Sequence, residues 1–273
     1  MSMSGFSTLS CGRTDMTAAI VQARMTSTRL PGKVLMEVMG RPLLSYQIER
    51  LQKIKNIDDI IIATTTNKED DPVIALCKKE DVSFFRGSEH DVLDRYYQAA
   101  IKFGVDHIVR ITADCPLIDP EICGRVIDTY MNTDIDYVHT GLTFSEGLDC
   151  EILSFKALEK AWQEAALPSE REHVTQYLHN HPELFNKITL HNDTDDSRYR
   201  FTVDEEADFL VVKAILENLY SDHSQCFSAE EIKSFLDAHQ DIFHINAGVI
   251  RNQGLKTSLK AEQVVENADF PER

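Results

Sequence analysis

Ile20-Val21-Gln22-Ala23-Arg24-Met25-Thr26-Ser27-Thr28-Arg29-Leu30-Pro31-Gly32-Lys33-Val34-Leu35 carries the clearest architectural information in the chain. Its apolar start, with Ala18 and Ala19 just before it, reads as a buried strand. The chain then enters a loop with Arg24, Ser27, Arg29 and Lys33 before any helical spacing begins. In an open α/β sheet, ligands sit outside the carboxyl ends of the strands, and the first such loop commonly holds phosphates. Arginine offers a planar fork to phosphate oxygens, lysine a mobile charge and serine a hydroxyl, while Pro31-Gly32 makes a turn that lets backbone come close. A lone surface cation is usually just solvated. Three cations between residues 24 and 33 of an acidic chain favour an anion site, and a nucleotide triphosphate fits the set. No G-x-x-x-x-G-K-[ST] and no G-x-G-x-x-G occurs, which sets aside P-loop kinases and dinucleotide dehydrogenases.

The surrounding composition narrows the class. A chain of 273 residues that is 42% hydrophobic can bury a sizeable core. Its formal charge of -17 argues against a general nucleic-acid or anionic-membrane surface, because both need a basic face. Six cysteines without a C-x-x-C pair read as free thiols rather than as a disulfide framework or zinc site. Residues 1–16 are rich in Ser, Thr and Gly and read as a disordered extension. No apolar run approaches the roughly 20 residues that span a bilayer, so the cytoplasm is the expected location.

Strand and helix patterns alternate along the chain. Residues 42–54 place Leu44, Ile48 and Leu51 at helical spacing; a strand at 59–64, a helix at 71–80, a strand at 82–85, a helix at 92–103 and a strand at 107–111 follow. This alternation predicts an α/β fold, a Rossmann-like and mostly parallel central sheet with flanking helices. Asp119-Pro120 reads as a helix cap. Asp114, at the carboxyl end of its strand, is either a Mg²⁺ ligand or a turn aspartate bonding its own backbone. Residues 148–153 read as a strand with Asp149 and Glu151 on one face, suited to sugar hydroxyls or to solvent. A single helix over 169–180, capped by Ser169 and Glu172, is expected next. His173, His179, His181 and His191 lack metal-site spacing and read as satisfied or exposed. Residues 187–191 and 199–203 read as paired strands. Asp204 is placed to cap a helix at 207–219. The main domain is read as 17–244, with a smaller β-rich insertion at 137–199 and a polar tail at 245–273.

Ala23-Arg24, Ser27 and Arg29-Leu30-Pro31-Gly32-Lys33 together resemble the opening signature of the CMP-sugar synthetases. These include the 3-deoxy-manno-octulosonate and acylneuraminate cytidylyltransferases, and the match is best to their spore-coat polysaccharide biosynthesis F-like branch. Related sugar-1-phosphate nucleotidylyltransferases usually carry a glycine-rich version of this loop, where this chain has Ala23-Arg24. The resemblance implies a nucleotide-diphospho-sugar transferase type of fold, and a Mg²⁺-dependent transfer of CMP from CTP to a sugar with release of pyrophosphate, in surface polysaccharide biosynthesis. It implies that Arg24, Arg29 and Lys33 hold the phosphates, that Asp114 and Asp204 hold Mg²⁺, and that Arg29, Lys33 and Asp114 carry the catalysis.

Ala23, Ser27 and the loop containing Thr66 would complete the nucleotide site. Arg86 and Asp94 resemble a block of the same branch and would contact nucleotide or sugar. Gly147, Asp149 and Glu151 match its Gly-x-Asp-x-Glu and would bind the acceptor. An acidic sugar is the expected acceptor, with Arg171, Arg198 and Arg200 as candidates for its carboxylate; a neutral or amino sugar would suit Asp149 and Glu151 instead. The expected partners are CTP, the acceptor and a second copy of the chain, with 137–199 in the dimer contact. A glycosyltransferase using a nucleotide-sugar donor and a non-catalytic nucleotide-binding protein are the alternatives.

Overall fold

The computed structural model describes residues 15–221 and 226–268. Most of the expected amino-terminal extension, residues 1–14, lies outside the described residues. The chain runs through β1 (Thr17–Gln22), a small hairpin of β2 (Glu37–Val38) and β3 (Arg41–Pro42), α1 (Leu43–Leu51), β4 (Asp59–Thr65), α2 (Asp71–Lys79), β5 (Ser83–Gly87), α3 (Val92–Phe103), β6 (His107–Thr112) and α4 (Pro120–Met131). It continues through β7 (Tyr137–Thr140), β8 (Glu151–Ser154), α5 (Phe155–Glu164), the short α6 (Pro168–Glu172) and α7 (Gln176–Asn180), β9 (Lys187–Leu190), α8 (Glu206–Leu219), α9 (Ala229–Ala238), α10 (Gln240–Phe243) and α11 (Gln253–Ala268).

Seven strands form one sheet in the order β5-β4-β1-β6-β8-β7-β9. The first four are parallel, β8 runs against both its neighbours, and β7 and β9 are parallel to each other. Apolar residues on both faces of β1 follow from its central place. Ala19 and Val21 pack into a core completed by α1, α2 and α4, while Ala18 and Ile20 pack into one completed by α3 and α5. A third core joins α8 and α9 to the β2–β3 hairpin and to Leu43 and Tyr46 of α1.

The antiparallel β8 has a positional effect. A strand of reversed direction begins at the edge where its parallel neighbours end, so the start of β8 meets the carboxyl half of β6. Its register pairs Glu151 with Arg110 of β6 and with His139 of β7, and His139 pairs in turn with Thr189 of β9. Four polar side chains thereby form one row across four strands, on one face of the sheet.

The β-rich stretch 137–199 supplies β7, β8 and β9, which extend the central sheet. The structure corrects several sequence expectations. The expected helix over 169–180 is broken into α6 and α7 at Val174, which adopts φ 51° while its side chain is completely buried. Burial of that valine outweighs helical continuity. The cap also shifts: the Glu170 carboxylate accepts from the backbone N–H of Ala166 and Leu167, where Ser169 and Glu172 were expected. The strand read at 148–153 begins only at Glu151.

Residues 199–203 do not pair with β9. Their backbone instead bonds the 146 and 114 loops, with Phe201 N donating to Glu146 O and Val203 N to Asp114 O, while Tyr199, Phe201 and Val203 fill the third core. Within the stretch read as a polar tail, Gln253–Ala268 is helical, and Ser169 of α6 donates its backbone N–H and its hydroxyl to Glu262. Cys77, Cys115, Cys123, Cys150 and Cys226 are free thiols, as expected; Cys11 lies outside the described residues.

Candidate active site

The loop after β1 is held in place by a buried carboxylate. Asp70, fully buried, accepts from Met25 N at 2.6 Å and also from the backbone N–H and hydroxyl of Thr65, so it ties the first-strand loop to the end of β4. Gly32 then closes the loop at φ 73°, a left-handed conformation suited to glycine, and donates its N–H to Met25 O at 2.9 Å. This closure turns Lys33 inward.

The Lys33 ammonium lies 3.0 Å from Asp114 Oδ2 and 2.8 Å from Asp204 Oδ1. The Arg29 guanidinium reaches Asp204 at 2.9 Å and approaches Glu205 at 3.8 Å. Val203 N and the Thr202 hydroxyl both donate to Asp114 O, which fixes the two aspartates opposite each other. Asp204 does not cap α8: the cap is Glu205, whose backbone N–H, like that of Asp204, donates to the Asp208 carboxylate.

Burial pushes the Asp114 carboxyl up, but the Lys33 charge, followed by the Thr112 hydroxyl, outweighs it and holds Asp114 down to about 2. Burial likewise opposes the Lys33 charge, and the two carboxylates more than compensate, so its pKa is raised. The donor chemistry suits Mg²⁺. Two hard carboxylates converge on a single cationic point, and Mg²⁺ in nucleotide sites typically takes one or two carboxylates with phosphate oxygens and water. No group of three or more His, Cys, Asp or Glu able to hold a metal ion occurs among the described residues, so the other ligands would come from nucleotide and water.

From this point a cavity of about 800 Å³ runs over the polar row, lined by Arg110, Glu151, His139 and Thr189 as well as by Asp114 and Asp204. Arg110 and Glu151 are ion-paired at 2.9 Å, and the Tyr137 hydroxyl donates to the other Glu151 oxygen at 2.8 Å. His173, His179 and His191 line the same cavity, with His173 bonded to Ser258 and His179 to Tyr137, while His181 is turned away, toward Glu170 and Glu183. Burial lowers the pKa of both His173 and His179. Asn252, just before α11, lines the cavity too, and its N–H donates to Glu146.

The remaining expected residues divide. Asp149 and Glu151 line the cavity. Gly147 has a backbone role: at φ 96° it lies so close to Phe201 and Thr202 that an added Cβ would sit 2.4 Å from Thr202 N. Ala23 and Arg24 line a small adjoining cleft of about 90 Å³ together with Gln22 and Arg95. Ser27 stays within its own loop, accepting from Leu30 N at 3.4 Å, and Thr66 N bonds Gly87 O.

Arg86 does not line the cavity; it clamps the loop after β4 by donating to Thr65 O and Asn67 O and pairing with Asp71. Asp94 is also outside the cavity, accepting from the Trp162 indole at 2.9 Å. The arginines named for a sugar carboxylate are all engaged: Arg171 with Asp91, Arg198 with Asp237, and Arg200 with Glu146, Asp204 and Asp208. Arg110, Tyr137, His139, Thr189 and Asn252 were not anticipated. Only Arg110 carried a signal, a lone charge inside the apolar strand Ile108-Val109-Arg110-Ile111.

Residues 18–246 match the family model described as cytidylyltransferase. An uncharacterized protein of Methanocaldococcus jannaschii is 41% identical over 234 residues, covering 84% of this chain and 94% of that one. The spore coat polysaccharide biosynthesis protein SpsF of Bacillus subtilis is 33% identical over 237 residues, covering 81% and 94%. Among solved structures, a cytidylyltransferase from Leptospira borgpetersenii superposes with a TM-score of 0.80 at 34% identity, covering 84% of this chain and 97% of that one.

Proposed function

The chain belongs to the cytidylyltransferase family, and on that premise we propose that it transfers CMP from CTP to a sugar, releasing pyrophosphate, with Mg²⁺ held by Asp114 and Asp204. One observation carries this reading: Lys33, from the loop after β1, sits between two carboxylates brought together from distant parts of the chain, at the edge where the parallel strands end. A sugar hydroxyl oxygen forms the new bond to the α-phosphorus, the bond from that phosphorus to the bridging oxygen breaks, and the hydroxyl proton leaves to solvent or phosphate. Such a transfer asks the protein for alignment and charge neutralisation more than for covalent chemistry.

Arg29 and Lys33 supply positive charge for the phosphate oxygens and the departing pyrophosphate. Mg²⁺, when bound, would offset the triphosphate charge and polarise the α-phosphoryl group. Ala23 and Arg24, in the small cleft beside the cavity, belong to the nucleotide side. Cytoplasmic location, a homodimer formed through 137–199 and a part in surface polysaccharide synthesis complete the proposal; the name of the SpsF relative supports the last. Among the described residues no helix is long and apolar enough to cross a membrane.

The test is pyrophosphate release with CTP, UTP, ATP or GTP crossed against sugars, sugar acids and sugar phosphates, with and without Mg²⁺. The expected result is release that needs CTP, Mg²⁺ and Asp114, lost in Asp114→Asn. Transfer from a supplied nucleotide-sugar without pyrophosphate, or saturable CTP binding with no turnover on any acceptor, would overturn it.

A further inference from the structure

The stretch that matches the family model ends at residue 246, yet residues beyond it build part of the cavity. Asn252 adopts φ 55°, a left-handed conformation that asparagine tolerates better than most side chains, and its carbonyl accepts a helical bond from Lys256 N at 3.1 Å as α11 begins. That turn brings Asn252, Gln253, Gly254 and Leu255 onto the cavity.

The segment is tied at its two ends to different walls. On one side, the Arg251 guanidinium donates to Leu142 O at 3.1 Å and Phe144 O at 2.8 Å and faces Asp149 at 3.3 Å, while Asn252 N donates to Glu146 at 3.0 Å. Leu142, Glu146 and Asp149 all line the cavity. On the other side, the Ser258 hydroxyl donates to Glu172 at 2.9 Å and lies 3.1 Å from Nε2 of the lining residue His173, and Ser169 donates its backbone N–H and hydroxyl to Glu262. Residues 251–262 therefore bridge the 142–149 loop and α6. Within the bridge, the side-chain amides of Asn252 and Gln253 have no hydrogen-bond partner among the described residues, so both are open to a ligand. Tethers on both sides order this stretch before a ligand arrives, which lowers the cost of binding.

We propose that residues 252–255 are a specificity-determining wall of the acceptor site, in which the Asn252 and Gln253 amides bond uncharged polar groups of the sugar, its hydroxyls or an acylamino group, and that Arg251 is the positioning residue that holds this wall against the 142–149 loop. This rests on the cytidylyltransferase reading above. A side-chain amide both donates and accepts, so the pair selects where such groups stand on the sugar, whether or not the sugar also carries an acid. The carboxylates proposed for Mg²⁺ lie in other segments. Asn252 reaches toward them by its backbone N–H alone, through Glu146, whose other oxygen pairs with Arg200. Loss of the two amides therefore falls on the acceptor and spares CTP.

The test uses the full chain with CTP and Mg²⁺ and measures pyrophosphate release with 3-deoxy-manno-octulosonate, N-acetylneuraminate, glucuronate, N-acetylglucosamine and glucose 1-phosphate. Asn252→Gly/Gln253→Ala removes both amides while a glycine keeps the left-handed turn and the N–H to Glu146. For the probe that wild type uses best, this variant should raise the acceptor KM at least fivefold and shrink that probe's advantage over the next at least threefold. Its kcat and CTP KM should stay within twofold, with melting temperature unchanged. Arg251→Ala should raise the acceptor KM at least threefold, again with CTP KM within twofold. An acceptor KM within twofold of wild type in the double variant, or acceptor and CTP KM rising together in either variant, would overturn the wall; an unchanged acceptor KM in Arg251→Ala would overturn the positioning role. CTP binding with no release from any probe would overturn the acceptor cavity along with its wall, whereas failure of CTP to bind at all would sink nucleotidyl transfer itself.

Discussion

The two ends of the cavity arrange their charges differently. At the aspartate end, Arg29 and Lys33 are paired with Asp204 and Asp114, the carboxylates proposed to hold Mg²⁺, and on that proposal a bound nucleotide would take over the two cations. At the far end, Arg110 and Glu151 are paired across neighbouring strands, and the Thr189 hydroxyl lies 2.8 Å from His139 Nε2 beside them. The difference teaches that counting cations along a sequence finds the first kind of site and says little about the second.

The strongest way to break this comparison is at the buried network beneath both ends. Arg200 is only 7% exposed and holds Glu146, Asp204 and Asp208 together. Arg200→Ala should cost about 3–5 kcal/mol of folding stability, because it leaves buried carboxylates unpaired. Urea denaturation reads this directly, and a loss under about 1 kcal/mol would show that these groups are not interdependent.

A smaller effect separates two arginines that the sequence both assigned to a ligand. Arg29→Ala should lower catalytic efficiency by about 2–4 kcal/mol of transition-state stabilisation with little change in melting temperature, as for loss of a charge-assisted contact to a developing anion. Arg86→Ala, outside the cavity and tied to backbone carbonyls, should cost no more than about 1 kcal/mol in the same assay. Equal losses would place Arg86 on the nucleotide after all.

Acid stability gives the finest discrimination, since the two ends titrate in different windows. Burial depresses the His179 pKa from its ordinary 6.5, so the neutral histidine's contribution is intact above that pH and is lost as pH falls through the lower folded value. Asp114 falls from 3.8 to about 2, so its contribution is intact above 3.8 and is lost between 3.8 and about 2. Melting curves should show wild type losing ground to His179→Gln starting below pH 6.5. The advantage of wild type over Asp114→Asn should instead persist to about pH 4 and then close. A common window for both variants would mean that the ends are electrostatically coupled.

Particular residues show what could be read in advance. Asp119 was legible as the cap of α4, and it accepts the backbone N–H groups of Glu121 and Ile122 expected of it. Arg29 and Lys33 could be read as one cationic loop after β1, and Asp114 as a carboxylate just past the end of β6. Val174 could not, because nothing in a helical spacing announces that a buried valine will take φ 51°. Arg86 was legible as a cation but not in its direction, because whether its guanidinium turns toward a ligand or toward Thr65 O depends on the loop beside it.

By itself, the sequence determined the alternating strands and helices, the buried central strand, the Asp119 cap and the cationic loop that follows β1. Each of these depends on residues within one turn or one strand of each other, so local spacing and hydrophobicity suffice. Only the tertiary structure decided that β8 runs backward, and with it that Glu151 sits between Arg110 and His139. It also decided that Val203 bonds to Asp114 O and so sets Asp204 beside Lys33. Register and contacts between distant segments depend on how those segments pack, and a one-residue slip of β8 would turn Glu151 out of the row to the opposite face of the sheet.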